Sequence, residues 1–137
     1  MSWMLGKASM DLIVDTHVLL WMLLADNKLG DRQKQLLENT SHRIHVSAVS
    51  AFEIATKVRI GKLPEARAIV RDFERIYQDF DYLKLDITQA HGIRGGQLDG
   101  SHRDPFDRLL AAQSLIEKMP LVTSDREFEA FDVETVW

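Results

Sequence analysis

Three short apolar runs, each passing almost at once into a helix-forming segment, constrain the fold of this chain more than any other feature. Leu12-Ile13-Val14 stops at Asp15 and Thr16, and the apolar stretch from His17 to Leu24 follows directly. Ile44-His45-Val46 leads through Ser47 and Ser50 into Ala51-Phe52-Glu53-Ile54-Ala55, and Leu121-Val122-Thr123 leads through Ser124 and Asp125 into a short helix with Phe128 and Phe131. A brief β-branched run bounded by polar residues reads as a buried strand, and strands alternating with helices make parallel sheets. Tyr82 to Leu85 and Val133 to Trp137 supply two further strands. The expected fold class is α/β, a three-layer α/β/α sandwich with a mainly parallel central sheet.

The remaining helices follow from periodicity and punctuation. Asp31 reads as the cap of a helix carrying Leu36 and Leu37. After Gly61 and Pro64, the residues Ala66, Ile69, Val70, Phe73, Ile76 and Tyr77 recur at helical spacing and predict one helix with a core or interface stripe. Ile87 to His91 predicts a helical turn or two, and Gly92 to Ser101 a loop. Asp104-Pro105 predicts a helix start, with Leu109, Leu110, Gln113 and Ile116 continuing it to Lys118 before Pro120. Trp21 and Phe52 are expected in the core.

The 137 residues, 45% of them hydrophobic, suffice for one good core and not for two ordinary domains. The expected organisation is a single domain over residues 10–137, preceded at 1–9 by an extension, an alternative start or a cloning remnant. The chain has no cysteine, which excludes disulfides, thiolate zinc sites and cysteine nucleophiles. Met1 to Met10 lacks the charged start and apolar segment of a signal peptide, so a cytoplasmic location is expected. The longest apolar run, Val18 to Ala25, is far short of the roughly 20 residues of a membrane-spanning helix. Net charge is −4, which argues mildly against a nucleic-acid partner, but the charges are segregated. Lys57, Arg59, Lys62, Arg67 and Arg71 stand against only Glu65, and His102, Arg103 and Arg108 flank a second acidic pair.

Four acids fall where such a fold collects ligands, beyond the carboxyl ends of the strands. Asp15 ends the first strand, Glu53 begins the helix after the second, Asp125 follows a late strand, and Asp107 lies one turn into the helix that Asp104 caps. Singly, each has a plainer explanation: Ser50 with Glu53 fits a capping box, Asp107 suits a helix N-terminus, and Asp15 or Asp125 could be caps. Jointly, convergence creates a problem, because two carboxylates about 4 Å apart at an effective dielectric near 20 repel by about 4 kcal/mol. A hard divalent cation offsets that repulsion, and an oxygen-only ligand set points to Mg²⁺ or Mn²⁺. Such a cation activates water and neutralises charge on a phosphodiester. A carboxylate outside the ligand set, such as Glu53, could serve as general base.

Other catalytic sets are not supported. His17, His42, His45, His91 and His102 are scattered, and no Gly-x-Ser-x-Gly, phosphate loop or dinucleotide fingerprint occurs. His17 and His45 read as packed or surface residues, and Gly95-Gly96 is an isolated pair.

Four blocks resemble a PIN domain, specifically the VapC-type toxins of bacterial toxin–antitoxin pairs. They are Leu12 to Trp21, Ser47 to Ala55, His102 to Gln113 and Val122 to Phe128, in the family's order. The resemblance implies a ribonuclease whose Mg²⁺ is held chiefly by acids matching Asp15 and Asp107, with Glu53 and Asp125 completing the cluster. It also implies a homodimer and a small antitoxin that blocks the acidic pocket. Asp104, Thr16 and Thr123 are then expected to support the acids, and Lys57, Arg59, Lys62, Arg103 and Arg108 to meet RNA. Two other readings compete. A catalytically silent module of the same fold would bind RNA or protein, and a phosphotransfer domain would use Asp15 as nucleophile, although His17 stands where the hydrolase version needs a second aspartate.

Overall fold

The strand Asp11–Val14 (β1) carries the unbroken apolar run Leu12-Ile13-Val14 because it buries both faces there. Leu12 and Val14 enter one core with Ile44, Val46, Val122 and Val136, whereas Ile13 enters a second with Leu121. The computed structural model describes residues 9–100 and 104–137. In it, β1, β2 (Arg43–Ser47), β3 (Leu83–Leu85), β4 (Leu121–Val122) and β5 (Thr135–Val136) form one sheet in the order β3-β2-β1-β4-β5, with every pairing parallel. The first core is closed by α1 (Thr16–Leu23), α2 (Asp31–Glu38), α3 (Ala48–Arg59), α4 (Arg67–Arg71) and α5 (Arg75–Asp79), through residues such as Val18, Leu19, Leu37, Ile54, Ile69 and Ile76. The second is closed by α7 (Pro105–Glu117) and the 3-10 segment Arg126–Phe131, through Leu110, Ala111, Phe128 and Phe131. This is the three-layer α/β/α sandwich expected.

The strand order places the site. The chain runs outward from β1 through β2 to β3, then returns to the other side of β1 with β4 and β5. Successive crossovers therefore leave the carboxyl ends of β1 and β4 in opposite directions, opening a crevice between them.

Local structure departs from the sequence reading at five places. The helix expected over 66–77 is interrupted: α4 ends at Arg71, and Arg75, Ile76 and Tyr77 bond to the carbonyls three residues back, a tighter winding that resets the phase. The stripe survives the break, since Ile69, Val70, Phe73, Ile76 and Tyr77 all pack on the first core. The expected loop from Gly92 is largely helical, because α6 (Gln89–Gln97) continues through the glycines. Thr88 accepts from the His91 amide while His91 Nδ1 accepts from the Thr88 amide, closing both ends of the first turn. Gly95 suits the close approach there, since a Cβ would meet the Arg108 carbonyl oxygen of α7 at 3.2 Å, tighter than ordinary contact. Gly30, not Asp31, is the cap of α2. Ser47 caps α3 by accepting from the Val49 amide at 3.0 Å, so Ser50 and Glu53 form no capping box. Finally, Phe52 is 63% exposed, whereas Trp21 packs against the core as expected.

The end of the sheet opposite the crevice carries a separate ionic tie. Asp11 and Arg43 are register partners on β1 and β2, and the guanidinium donates twice to the carboxylate at 2.7 Å, with His45 Nε2 at 2.9 Å. Arg43 first, then His45, hold the Asp11 carboxyl well below the usual carboxylate range. A depressed folded-state value means stability that is present above the ordinary carboxylate range and lost as pH falls toward the folded value. Asp11→Asn is therefore expected to lower stability near neutrality, modestly because both partners are partly exposed. The gap to the parent should shrink between pH ~5 and ~2. Urea denaturation at several pH values checks this, and a pH-independent gap would contradict it.

Candidate active site

Each acid reaches the crevice by a different local device. Asp15 occupies the N-cap position of α1, yet its side chain makes no capping bond. Instead Oδ2 accepts from the Thr123 hydroxyl at 2.8 Å, across the β1 and β4 ends, and the residue is only 3% exposed. Thr123 Oγ1 also accepts from the Asp125 amide at 3.0 Å, so one threonine spaces two of the acids. Thr16 shares a buried 2.8 Å hydroxyl contact with Ser50, which fixes the start of α1 against α3. Glu53 projects one turn into α3, is 5% exposed, and meets Lys57 Nζ at 2.9 Å. Asp104 is the expected cap, accepting from the Phe106 amide at 2.8 Å and more weakly from that of Asp107 at 3.4 Å.

Burial is the largest influence on Asp15, and it pushes the carboxyl upward. The Thr123 hydroxyl and His17 oppose that, while the charges of Glu53 and Asp125 add to it. Asp15, Glu53 and Asp125 thus lie within electrostatic reach of one another. Asp107, Asp125 and Glu127 each present a carboxylate oxygen within 4.8 Å of the other two. Asp125 belongs to both groups, and its Oδ1 accepts from the Glu127 amide at 2.9 Å. Asp125 therefore links the two groups, and Asp15 and Glu53 stand outside the three-acid group that could hold an ion.

Glu127 is the acid that sequence reasoning missed. It stands two residues after Asp125 in a segment expected to be a short helix. The available signal was the spacing: a 3-10 turn capped by Asp125 brings the second residue of the turn back over its cap.

The donor set fits a hard divalent ion. Oxygens bound at about 2.0–2.1 Å to an octahedral ion lie roughly 3–4 Å apart, so Asp107, Asp125 and Glu127 need only a small contraction from their spacing of up to 4.8 Å. No nitrogen or sulfur donor enters the group. A cleft of about 390 Å³ lined by His42, Phe80 and Tyr82 lies toward the amino ends of β2 and β3 and holds none of these acids.

The basic residues divide. Arg59 and Lys62 are exposed at the end of α3. Lys57 is drawn to Glu53, and Arg108 is engaged internally: Nε donates to the Gly95 carbonyl at 2.9 Å, Nη2 to that of Leu98, and the guanidinium lies 5.6 Å from the Phe131 ring centroid. Arg108 thereby ties α6 to α7. Arg103 and His102 lie outside the described residues.

The PIN domain family model matches residues 12–134, nearly the whole chain. The chain belongs to the PIN domain family. No curated protein matches it by sequence. Among solved structures it is similar to VapBC2 from Rickettsia felis, bound to a DNA fragment from their promoter, with TM-score 0.71 and 20% identity over 93% of this chain and 99% of that one. FitAcB from Neisseria gonorrhoeae gives 0.69 and 19%, over 92% and 96%. A toxin–antitoxin complex from Klebsiella pneumoniae gives 0.60 and 17%, over 92% and 96%. At these identities the likeness is one of fold, and for this PIN domain the chemistry rests on the acids themselves.

Proposed function

We propose that this PIN domain is a Mg²⁺- or Mn²⁺-dependent endoribonuclease, the toxin of a toxin–antitoxin pair, acting in the cytoplasm as a homodimer and silenced by a small antitoxin. The observation that carries the reading is the acidic group of Asp107, Asp125 and Glu127, with Asp125 also within electrostatic reach of the buried Asp15. Asp107, Asp125 and Glu127 would hold the ion, with Asp15 at its buried side. When bound, the ion supplies Lewis-acid activation of water and of the scissile phosphodiester. Glu53, held by Lys57 at the edge of the group, is placed to take a proton from the attacking water. Thr123 fixes the orientation of Asp15, and Asp104 fixes the helix that presents Asp107. Arg59, Lys62 and, from its sequence position, Arg103 supply cationic contacts for the RNA backbone. An anionic pocket of this kind suits blockade by a basic antitoxin side chain, and the structural likeness to a toxin–antitoxin complex supports that partner.

Purified protein is expected to cleave RNA with Mg²⁺ or Mn²⁺ and to stop when the metal is chelated. Cleavage that persists in chelator, or in an Asp15→Asn and Asp107→Asn double variant, would overturn the reading. Glu127→Gln separates ion binding from the rest of the site. Loss of the carboxylate charge should weaken Mn²⁺ affinity by roughly 10- to 100-fold, measured by calorimetric titration, whereas an unchanged affinity would remove Glu127 from the ligand set.

A further inference from the structure

We propose that the cleft at the amino ends of β2 and β3 binds a small organic cation that also carries a neutral carbonyl, the chemistry of an acylated or amidated basic amine. The cleft is about 390 Å³, within the range of small-ligand sites, and lies toward the strand ends opposite the acidic crevice. His42, in its wall, is the polar group that points to a ligand. It is 6% exposed, and its Nδ1 accepts from the Met10 amide at 3.2 Å. In the neutral ring the proton is therefore on Nε2. That donor has no partner among the described residues, and a buried donor left unmet is destabilising and uncommon. As the side chains stand Nε2 is closed to solvent, so an acceptor reaches it through a small side-chain shift of the kind that binding commonly brings.

The rest of the wall selects a cation with an apolar body. Phe80 and Tyr82 stack with centroids 5.3 Å apart and planes at 19°, and Phe80 stays 39% exposed, so its ring is open to a cation. Glu38, Asp79 and Asp81 also line the cleft. Burial first, then the charge of Glu38, pushes the Tyr82 hydroxyl up to about 12, which sets that carboxylate within electrostatic reach of the aromatic pair. Neither Glu38 nor Asp81 has an ion-pair partner among the described residues, and Asp79 pairs only loosely with Arg75 at 3.4 Å. The guanidinium of Arg43, on the same wall, is engaged by Asp11. An anion would therefore meet uncompensated carboxylates, and a neutral ligand would leave them unused. Among the described residues these acids form no metal-ligating group, so an organic cation is the one that fits.

The probe is Nα-acetyl-L-argininamide, which supplies a guanidinium and neutral carbonyls, titrated calorimetrically into the full chain at low salt. Nα-acetyl-L-citrullinamide keeps nearly the same shape without the charge, and n-butylguanidinium keeps the charge without the carbonyl. Each is expected to bind at least ~10-fold more weakly. Glu38→Gln combined with Asp81→Asn should weaken the probe by a similar factor. His42→Asn, whose side-chain oxygen can still accept from the Met10 amide, should abolish the advantage of the probe over n-butylguanidinium. In the parent, the Nε2 proton of His42 should move downfield in the NMR spectrum as the probe binds. Equal affinity for the argininamide and the citrullinamide would overturn the proposal. So would binding that survives the Glu38 and Asp81 changes and is lost in Asp125→Asn, which would place the cation in the acidic crevice. Binding of an arginine-containing peptide with no uptake of the small probe would also overturn it, and would give the cleft to a polypeptide.

Discussion

Asp15→Asn is expected to lower metal-dependent RNA cleavage by roughly 10²- to 10³-fold and, in metal-free buffer near neutrality, to raise Tm by a few degrees. The two effects have one origin. Burial, reinforced by Glu53 and Asp125, raises the folded-state value of the Asp15 carboxyl above its ordinary one. A raised carboxyl contributes stability below the ordinary carboxylate range, and that stability is lost as pH rises through the folded value. At neutral pH the charged form is thus the strained one. Asparagine keeps the shape, carries no charge, and can still accept from Thr123 Oγ1. The gain should shrink in acid, where the parent Asp15 is itself neutral. With saturating Mg²⁺ the order should reverse, because only the parent site gains full ligand stabilisation. Thermal melts at two pH values, with Mg²⁺ and with chelator, read all three outcomes. A Tm that falls together with activity would mean that Asp15 holds the fold, and would contradict its assignment as a site acid kept at the expense of stability.

Gln113→Leu is expected to cost about 1–3 kcal/mol. Gln113 is fully buried on α7. Its Oε1 accepts from the Ser47 hydroxyl at 2.6 Å, and its Nε2 donates to the Asp86 carbonyl at 3.2 Å and lies 3.4 Å from His91 Nδ1. His91 Nδ1 already accepts from the Thr88 amide, and Nε2 faces Glu117 Oε2 at 2.8 Å. Leucine has nearly the same volume, so the change opens no large cavity and isolates the hydrogen bonds. It leaves the Ser47 hydroxyl proton buried without its partner and removes the donor to the carbonyl of the exposed Asp86. Because Ser47 caps α3, which carries Glu53, the variant should also lose activity at temperatures below its melt. Urea denaturation measures the first effect and cleavage rate the second. A loss below about 1 kcal/mol would mean that water or rearrangement replaces the bonds.

Sequence patterning carried the fold class because buried parallel strands and their crossover helices have different periods, visible in runs such as Leu12 to Leu24 and Ile44 to Ala55. It failed where the decision is not local. Nothing from Ala66 to Tyr77 signals the break at 72–74, because all six apolar positions of the stripe still reach the core through a tightened turn. Glycines 92, 95 and 96 read as a loop because helix propensity disfavours them. Packing offsets that preference at Gly95, where a Cβ would press on the backbone of α7 at 3.2 Å. Phe52 read as core by its position, but on α3 it stays 63% exposed, with its ring edge-on to Phe106.

The sequence by itself determined the alternation of strand and helix, hence a parallel sheet, and the four acids that fall at its carboxyl edge, because strand ends and helix starts are local properties. Only the tertiary structure decided the order β3-β2-β1-β4-β5, and with it which strand ends diverge. That order sets Asp125 as the link between Asp15 and Asp107, brings Glu127 into the group, turns Lys57 and Arg108 inward, and leaves Phe52 exposed. The reason is physical: charges and rings act over a few ångströms of space, and residues 108 positions apart along the chain, such as Asp15 and Thr123, become neighbours only when the sheet closes.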